Sequence, residues 1–498
     1  MRVTIGSRRS ELARIQAFQV GEALRSAHPQ IEVDYSFRES LGDKNQNDPL
    51  WQMPEKGVFT QDFRQGLLQG EFDLVVHSWK DLAIETDPET RIAATLPRAD
   101  PRDLLLVRKD RWPQVERTGI MSILTSSPRR AYNLESFFRE VLPAKLHELN
   151  FLNVRGNVPT RIRKLFQSEV DGLIVAKVAI DRLLQAPQNE FAATQTELRN
   201  SLSHCRFAVL PLRANPSAPA QGALAIEISK QRVDLADLLA PIHCPATFAV
   251  VAREREILAS YGGGCHQKIG VSVLARPFGE VTFLRGLTDD GQALNGCSLQ
   301  PSKARPPKAP RAQMWPQNPS ESDWFQREKT RARIPDNSIS LWIAKAEAIP
   351  DDQVIDPNQI VWASGIQTWK RLARRGVWVN GSAESLGEQE EPKIETLIGA
   401  KLDWLKLTHE QGYTEGSMPN LATYRLRPKN VRMAFEGKKY FFWNSGSSFE
   451  YAAAQNPWLK EMTHFCGPGN TRQILKRNGV EPHVFLDHAQ WLAEMSES

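Results

Sequence analysis

No stretch of the 498-residue sequence stays apolar for the ~18 residues that a membrane-crossing helix needs. The first residues, from Met1 to Arg9, also lack the apolar core of a secretory signal. Cysteine is scarce: the five residues are odd in number and have no CxxC spacing, so they favour neither a disulfide framework nor a zinc site. We therefore expect a cytoplasmic protein.

An excess of charge of either sign is also missing. The 63 Lys and Arg residues outnumber the 58 Asp and Glu residues by only 5, which is too little for a nucleic-acid coat or a polybasic membrane anchor. Tryptophan is nearly absent before residue 300, since three of 13 precede it and ten follow it. The length, about three times a typical ~150-residue domain, predicts two to four domains with a compositional boundary near residue 300.

The first 300 residues alternate strand-like and helix-like stretches. A helical pattern that Ser10 is able to cap follows the first strand. Apolar strands are predicted at residues 2–5, 31–35, 72–76, 104–107 and 173–176. This rhythm predicts an α/β fold with parallel or mixed sheets, in which ligands gather where strands end and helices begin.

Ionisable residues follow the strand at 72–76. The run His77-Ser78-Trp79-Lys80-Asp81 brings several polar groups to one strand end. Asp81 beside Lys80 is able to stay ionised and to stabilise a cationic intermediate. The alternative is a surface Lys–Asp turn after a buried strand.

Arginines stand beside predicted helix starts in two further segments. One contains Thr125, Ser127, Pro128, Arg129 and Arg130, with Pro128 suited to a first helical turn. The other runs from Arg155 to Arg161; its Gly156 allows a turn and its Asn157 is a candidate cap for the helix that Pro159 begins. Arg8 with Ser10 repeats this format. Guanidinium groups near helix N-termini bind carboxylates or phosphates, so the pattern favours an anion site over a basic surface face.

Cys265 follows Gly262-Gly263-Gly264 and precedes His266. The glycines leave the thiol approachable, and a neighbouring imidazole favours the thiolate. The alternative is an inert loop cysteine.

Taken in order, these segments resemble the hydroxymethylbilane synthase (porphobilinogen deaminase) family over residues 1–300. The motifs are Gly6 to Ala13, Lys56 to Thr60, Val76 to Asp81, Thr125 to Arg130, Arg155 to Arg161, Pro219 to Glu227 and Gly263 to Cys265.

The resemblance implies two periplasmic-binding-protein-like lobes and a small α+β domain that carries the cysteine. The implied boundaries are 1–98 with 195–222, 99–194 and 223–300. It also implies a dipyrromethane cofactor joined by a thioether to Cys265. Four porphobilinogen molecules would add head to tail on that primer, each losing ammonia to give an azafulvene that the terminal pyrrole attacks. Water then releases hydroxymethylbilane, and the protein is expected to act as a monomer.

Site roles follow from the same resemblance. Asp81 and Lys80 are the expected catalytic residues. The expected cofactor-binding residues are Cys265, Arg129, Arg130, Lys56, Ser78, Asp81, Thr125 and Ser127. The expected substrate-binding residues are Arg8, Ser10, Arg155, Arg161 and Arg182, and no metal is expected. The chain departs from the family at Gln52, Leu124, Pro128 and Ala220.

Residues 301–325 are rich in proline and basic residues and are predicted to form a solvated, partly extended linker. Beyond it, Thr368 to Val377 and Thr471 to Val480 share Thr, Leu and Gly at the same offsets. Each reads as a Thr-capped helix that a glycine ends, although any helix with a cap and a terminal glycine gives this pattern. The echo and the run Phe441 to Ser448 resemble uroporphyrinogen III synthase, which implies a further α/β domain at 326–498. Whether it cyclises hydroxymethylbilane or regulates is left open.

Two other classes compete with a transferase. A non-catalytic two-lobed protein would hold a small polycarboxylate in the same cleft without a covalent adduct. A nucleic-acid binder fits less well, because aromatic residues do not interleave with the basic motifs.

Overall fold

The computed structural model describes residues 1–39, 61–85, 87–263, 267–335, 337–412, 418–431 and 433–497. Lys56 and Gln52, and also Cys265, lie outside these ranges.

Helices and strands alternate along most of the chain, and they are numbered here in chain order. The part before residue 300 contains β1 Arg2–Arg8, α1 Glu11–Ala27, β2 Glu32–Arg38, α2 Gln61–Leu68, β3 Leu74–Ser78, β4 Thr90–Ala94, β5 Asp103–Arg108, α3 Trp112–Thr118, β6 Ile120–Leu124, α4 Pro128–Val141, β7 Glu148–Leu152, α5 Val158–Gln167, β8 Gly172–Ala176, α6 Lys177–Gln185, α7 Ala192–Ser203, β9 Cys205–Leu210, β10 Leu224–Ser229, α8 Val233–Leu239, α9 Pro245–Ala259, β11 Gly270–Arg276, β12 Gly279–Leu287 and β13 Ala293–Pro301. The remainder, called the tail here, contains β14 Met314–Trp315, β15 Phe325–Lys329, β16 Ser340–Ile343, β17 Val361–Ala363, α10 Ile366–Ala373, β18 Gly381–Ser382, α11 Glu395–Ile398, β19 Trp404–His409, β20 Asn420–Pro428, β21 Tyr440–Trp443, α12 Gly446–Gln455, β22 Thr463–Cys466, α13 Asn470–Arg477, β23 His483–Val484 and α14 His488–Met495.

The first lobe is built on a mixed five-stranded sheet in the order β2-β1-β3-β10-β4. β1 is parallel to β2 and β3, whereas β10 is antiparallel to β3 and β4. α1 covers this sheet with Ala17, Val20 and Leu24, which are all fully buried. The α/β alternation that the sequence predicts is therefore present.

The second lobe has its own mixed sheet in the order β7-β6-β8-β5-β9. Two strands do not follow the predicted boundaries: β9 pairs with β5 in the second lobe, and β10 pairs with β3 in the first. The chain thus crosses between the lobes at residues 95–102, where β5 begins the second sheet, and again at 211–223, after which β10 returns to the first sheet.

A third, antiparallel sheet contains β11, β12 and β13 and stands where the sequence predicts the small domain. α9 packs on it through Val251, which shares a core cluster with Val273 of β11. The fully buried Glu254 of α9 accepts hydrogen bonds from the Val273 and Ala220 backbone N–H groups, at 2.8 Å each, and pairs with Arg98. One carboxylate therefore connects the third sheet to the second crossing segment.

The tail contains two sheets. The larger has the order β15-β20-β19-β16-β17-β18, and the smaller, in the order β14-β21-β22-β23, is entirely parallel. The two echoed segments form equivalent units, a parallel strand followed by α10 or α13.

The predicted helix caps of these units need correction. Gly365 and Gly469 hold the N-cap positions, and Thr368 and Thr471 lie inside the helices. The ending glycines, Gly376 and Gly479, do have positive φ angles of 77° and 79°.

The segment predicted as a solvated linker is exposed at many positions but is packed against the rest of the tail at Ala309, Met314 and Trp315. Met314 and Trp315 form the buried strand β14, which pairs in parallel with β21. Ala309 is 1% exposed, and its N–H donates to Met495 O at 2.9 Å. The proline-rich and basic composition predicted exposure to solvent, but contacts with residues far along the chain bury these positions.

The tryptophan-rich tail docks on the second lobe through a shared core. Trp369 lies 5.6 Å from the Phe137 ring, and its indole Nε1 donates to Val141 O at 3.1 Å. Trp378 meets Trp112 edge to face at 5.0 Å and donates to Phe207 O at 2.9 Å. Two of the late tryptophans thus serve the interface between the tail and the lobe.

Within the described residues no single helix is long and apolar enough to cross a membrane. The bent helical pair 233–242 and 245–259, at an angle of 107°, meets the criteria of length and composition together.

The docking surface generates a first prediction. Trp369→Ala should lower the free energy of unfolding by about 3–5 kcal/mol, because a fully buried indole and its hydrogen bond are lost. Urea denaturation of the full chain measures this. Trp458→Ala is the control, since Trp458 is 42% exposed and its loss should cost less than about 2 kcal/mol. Equal costs at the two positions would contradict the buried interface.

Candidate active site

A cleft of about 420 Å³ lies between the first and second lobes. Nine of the residues that the sequence singled out line it: Arg8, Ser10, Ser78, Lys80, Asp81, Arg130, Arg155, Arg161 and Arg182. Glu11 lines it as well, so five arginines and one lysine face only two carboxylates. A site with this balance favours a ligand that carries several negative charges.

The end of β3 presents Lys80 and Asp81 to the cleft. Trp79 is buried against the Phe248 ring at 5.2 Å and starts a single 3-10 turn that ends at Asp81. The buried indole fixes the turn, so that the exposed Asp81 carboxylate reaches the cleft.

Lys80 lies deeper in the cleft and donates to Gln221 Oε1 at 3.3 Å. Burial lowers the pKa of Lys80, and the charges of Arg130 and Arg129 lower it further, whereas Asp81 and Asp103 oppose the shift. Burial therefore disfavours the charged ammonium group, and a bound anion would offset this cost.

Arg129 and Arg130 begin α4 as predicted, with Pro128 in the first turn. Arg130 lines the cleft, but Arg129 turns away from it. The Arg129 guanidinium donates to Asn215 Oδ1 at 2.9 Å, to Pro216 O at 2.6 Å and to Asp103 Oδ2 at 2.9 Å. Arg129 thus holds the second crossing segment, whereas a direct ligand contact had been expected.

Asp103, at the start of β5, is the residue that sequence reasoning missed. Its fully buried carboxylate accepts two hydrogen bonds from Arg130 and one each from Arg129, Asn215 and Gln221, all between 2.7 and 3.0 Å. Burial alone would raise the pKa of Asp103, but Arg130 and Arg129 outweigh it and hold that pKa well below its usual range. An acid at the head of the apolar run Leu104 to Val107 was the available signal.

Gln221 connects Asp103 to the other side of the cleft. Its side-chain amide donates to Asp103 Oδ1 at 2.8 Å while its carbonyl accepts from Lys80. One glutamine therefore links the second lobe's carboxylate to the first lobe's lysine.

Thr125 and Ser127 do not line the cleft. The Ser127 hydroxyl caps α4 by accepting from the Arg130 N–H at 3.4 Å, and the Ser127 N–H donates to Thr125 Oγ1 at 3.3 Å. Both hydroxyls shape the turn that aims Arg130.

The start of α5 presents Arg155 and Arg161 to the cleft. Gly156 has a φ of 109°, and Asn157 caps the helix by accepting from the Thr160 N–H at 3.0 Å, as predicted. Arg161 Nε donates to Gly156 O at 2.8 Å. Burial, with the charges of Arg130 and Arg155, lowers the pKa of Arg161 to about 10.

Arg182 of α6 also lines the cleft and donates to Gly222 O at 3.0 Å. Burial lowers the pKa of Arg182 to about 10. Burial opposes the charge on Arg161 and on Arg182 alike, and a carboxylate bound between the lobes would offset this cost.

Ala220, one of the departures from the family pattern, adopts a φ of 65°, a conformation that favours glycine. Its N–H is held by Glu254, and Gly222, two residues on, has a φ of 92° with Ala99 O close to its Cα. Ala220 therefore adopts the same kind of turn as a glycine would, and the buried Glu254 carboxylate stabilises this turn, which presents Gln221.

A second buried carboxylate, Glu227 of β10, lies behind β3. His77 Nε2 lies 2.9 Å from Glu227 Oε2, and Thr90 and Arg64 donate to Oε1. Burial would raise the pKa of Glu227, yet His77, Thr90 and Arg64 lower it to about 2. This network fixes the strand that carries Ser78.

Among the described residues, no group of three or more His, Cys, Asp or Glu side chains is arranged to hold a metal ion.

Comparisons with known proteins identify the family of the first part of the chain. A family model described as "Porphobilinogen deaminase, dipyromethane cofactor binding domain" matches residues 3–237. The porphobilinogen deaminase of Acidothermus cellulolyticus is 36% identical over 303 residues, which are 57% of this chain and 82% of that protein. That of Syntrophomonas wolfei is 34% identical over 283 residues, 57% of this chain and 83% of that protein. Among solved structures, YhfZ from Shigella flexneri is 12% identical and covers 53% of this chain and 93% of its own, but the TM-score of 0.25 is too low to carry weight.

The Asp103 cluster generates a second prediction. Asp103→Asn should lower the free energy of unfolding by about 3–5 kcal/mol, because it leaves two buried guanidinium groups without their carboxylate. Denaturant titration near neutral pH measures this. Asp110→Asn, which breaks an exposed pair with Arg108, should change stability by less than about 1 kcal/mol. A D103N variant as stable as D110N would remove the organising role of Asp103.

Proposed function

The chain belongs to the porphobilinogen deaminase family, and from that membership we propose that it joins four porphobilinogen molecules into hydroxymethylbilane. The observation that carries the proposal is the interlobe cleft, in which five arginines and Lys80 surround Asp81. Each porphobilinogen bears two carboxylates, so a growing chain of pyrroles needs many cationic groups of this kind. The catalytic activity makes the protein a transferase.

The matched domain is the dipyrromethane cofactor domain, and the cleft fits that cofactor. Bound there, dipyrromethane supplies the pyrrole carbon to which the first substrate is added. We propose that Cys265 carries it and that Arg130 binds its carboxylates, with Arg129 holding Arg130's surroundings through Asp103. Lys56 is proposed as a further cofactor contact. Both Cys265 and Lys56 lie outside the described residues.

We propose that substrate carboxylates are bound by Arg8, Arg155, Arg161 and Arg182, with Ser10 beside them. The positive charge that develops as ammonia leaves porphobilinogen is stabilised by the Asp81 carboxylate. Lys80, whose pKa is lowered, lies on the same turn and is positioned to exchange a proton with the departing amine.

A purely binding role for the two lobes is not favoured. The matched family model is a cofactor domain, and the relatives it accompanies are named as deaminases.

For the tail, a second cleft of about 330 Å³ supports a separate proposal. It lies between the two tail sheets and is lined by Arg327, Lys345, Lys406 and His409, by the first residues of α12, and by the carboxylates of Asp323 and of Glu388, which pairs with Lys406. Burial lowers the pKa of His409, and the charges of Lys406 and Arg327 lower it further. The basic groups outnumber the carboxylates, and we propose that this cleft binds the linear tetrapyrrole and cyclises it to uroporphyrinogen III.

Asp81→Asn tests the transferase proposal. Turnover of porphobilinogen should fall by about 10²–10³, because the neutral amide no longer stabilises developing positive charge. Intact-protein mass should still show the dipyrromethane adduct, and Asp237→Asn, an exposed change on α8, should leave turnover unchanged. A wild-type chain without adduct or turnover would overturn the function, and an active D81N would remove the role of Asp81 alone.

Isomer analysis tests the tail. The full chain supplied with porphobilinogen should give the type III isomer. Lys345→Gln should slow its formation about tenfold, since one charge-assisted hydrogen bond is lost. Lys460→Gln, an exposed change outside the cleft, is the control. Only the spontaneously formed type I isomer from the wild-type chain would contradict cyclisation by the tail.

A further inference from the structure

One loop of the tail, from Asn380 to Pro392, reaches the second lobe and the second crossing segment. Val209 N–H donates to Asn380 O at 2.8 Å, and Arg102 donates to Pro392 O at 2.8 Å. Between these contacts stands Glu384, which is only 8% exposed.

Glu384 binds the backbone of the crossing segment with both carboxylate oxygens. Oε1 accepts from the Leu212 N–H and Oε2 from the Arg213 N–H, each at 2.8 Å. Leu386, two residues on, packs in one cluster with Leu212 and with Phe283 of β12. The tail therefore binds residues 212–213 through both hydrogen bonds and apolar contacts.

Residues 212–213 are followed by Asn215 and Pro216, which contact Arg129. Asn215 accepts from Arg129 and donates to Asp103 Oδ2 at 2.8 Å, and Pro216 O accepts from Arg129 at 2.6 Å. Asp103 in turn holds Arg130, whose side chain faces the cleft. A path thus runs from a tail glutamate to a cleft arginine, made of short hydrogen bonds and of the backbone from Leu212 to Pro216.

We propose that Glu384 of the tail is a positioning residue for the transferase cleft: by holding residues 212–213 it fixes Asn215 and Pro216, and through them the Arg129–Asp103–Arg130 cluster. The proposal rests on the transferase function proposed above. It makes the tail a structural part of the first active site, in addition to any chemistry of its own.

Two further observations support this role. Glu384 and Ser385 have φ angles of 53° and 64°, a conformation that side chains other than glycine adopt at a cost and that is retained where the surroundings demand it. Burial raises the pKa of Glu384 to about 7, with Glu390 adding to the effect and with the two N–H groups and Arg102 opposing it. Cys297 of β13 is also close enough to feel the charge of Glu384. The positive φ and the burial of the carboxylate are both costly, and the two backbone N–H groups are the direct hydrogen-bond partners that offset these costs.

The test uses the full chain and measures dipyrromethane occupancy by intact mass, together with KM and kcat of the loaded fraction. Glu384→Ala should lower occupancy or raise KM about fivefold or more, because the Leu212 and Arg213 N–H groups lose their acceptor, and Glu384→Gln should show a smaller change, because its amide oxygen still accepts one hydrogen bond. The effect on kcat should be less than twofold, since Asp81 is untouched. Assays are run well below the lowest melting temperature among the variants.

Glu390→Gln is the matched control. It makes the same Glu-to-Gln change in the same loop and loses a pair with Arg276 of β11, but within the described part of the chain Glu390 has no hydrogen bond to residues 212–216. Occupancy and KM should stay at the wild-type values. Hydrogen exchange of the Leu212 and Arg213 amides should accelerate in both Glu384 variants and not in E390Q.

A double-mutant cycle with Asn215→Ala separates positioning from general loosening. If Glu384 acts through this segment, the double variant should resemble N215A alone, whereas independent effects would multiply. Wild-type occupancy and KM in E384A, or multiplicative effects, would overturn the inference. A wild-type chain with neither adduct nor turnover would instead overturn the transferase function itself.

Discussion

Five hydrogen bonds converge on the buried carboxylate of Asp103, and the geometry of the cleft depends on them. The carboxylate is surrounded by two guanidinium groups and by the side-chain amides of Asn215 and Gln221, and Asp103 is buried. Arginines this close to each other repel, so a shared carboxylate is what allows Arg130 to face the cleft while Arg129 stays behind it. The resulting balance leaves the cleft side positive, as binding of acidic pyrroles requires.

Buried carboxylates connect separate parts of the chain at three other junctions. Glu254 joins the third sheet to the turn at Ala220, and Glu227 joins β10 to β3 through His77. Glu384 joins the tail to the crossing segment. In each case both oxygens of one buried carboxylate accept hydrogen bonds, which offsets the cost of removing the charge from water. Rigid junctions between sheets hold the cationic side chains that line the cleft.

Local signals in the sequence were the ones that could be predicted. The Asn157 cap, the Pro128 helix start, the turn at Gly156 and the polar end of β3 depend on neighbouring residues, and the structure has all four. Nine site candidates converge on one cleft because strand ends meet at one edge. Asp103 and the inward turn of Arg129 were missed, because their partners lie 26 to 118 residues away along the chain. The sheets to which β9 and β10 belong were missed for the same reason, because they depend on pairing with β5 and β3, much earlier in the chain.

In the tail, composition predicts a boundary but not the contacts across it. Its tryptophans mark a boundary in the sequence, yet Trp369 and Trp378 are buried against the second lobe, and the proline-rich segment before them includes a buried strand. Removing the tail would expose Phe137 and Trp112 and would leave the Leu212 and Arg213 amides without their acceptor. An exposed apolar patch of that kind is costly in water. In this chain the lobe and the tail have therefore become mutually dependent, which a flexible tether would not require.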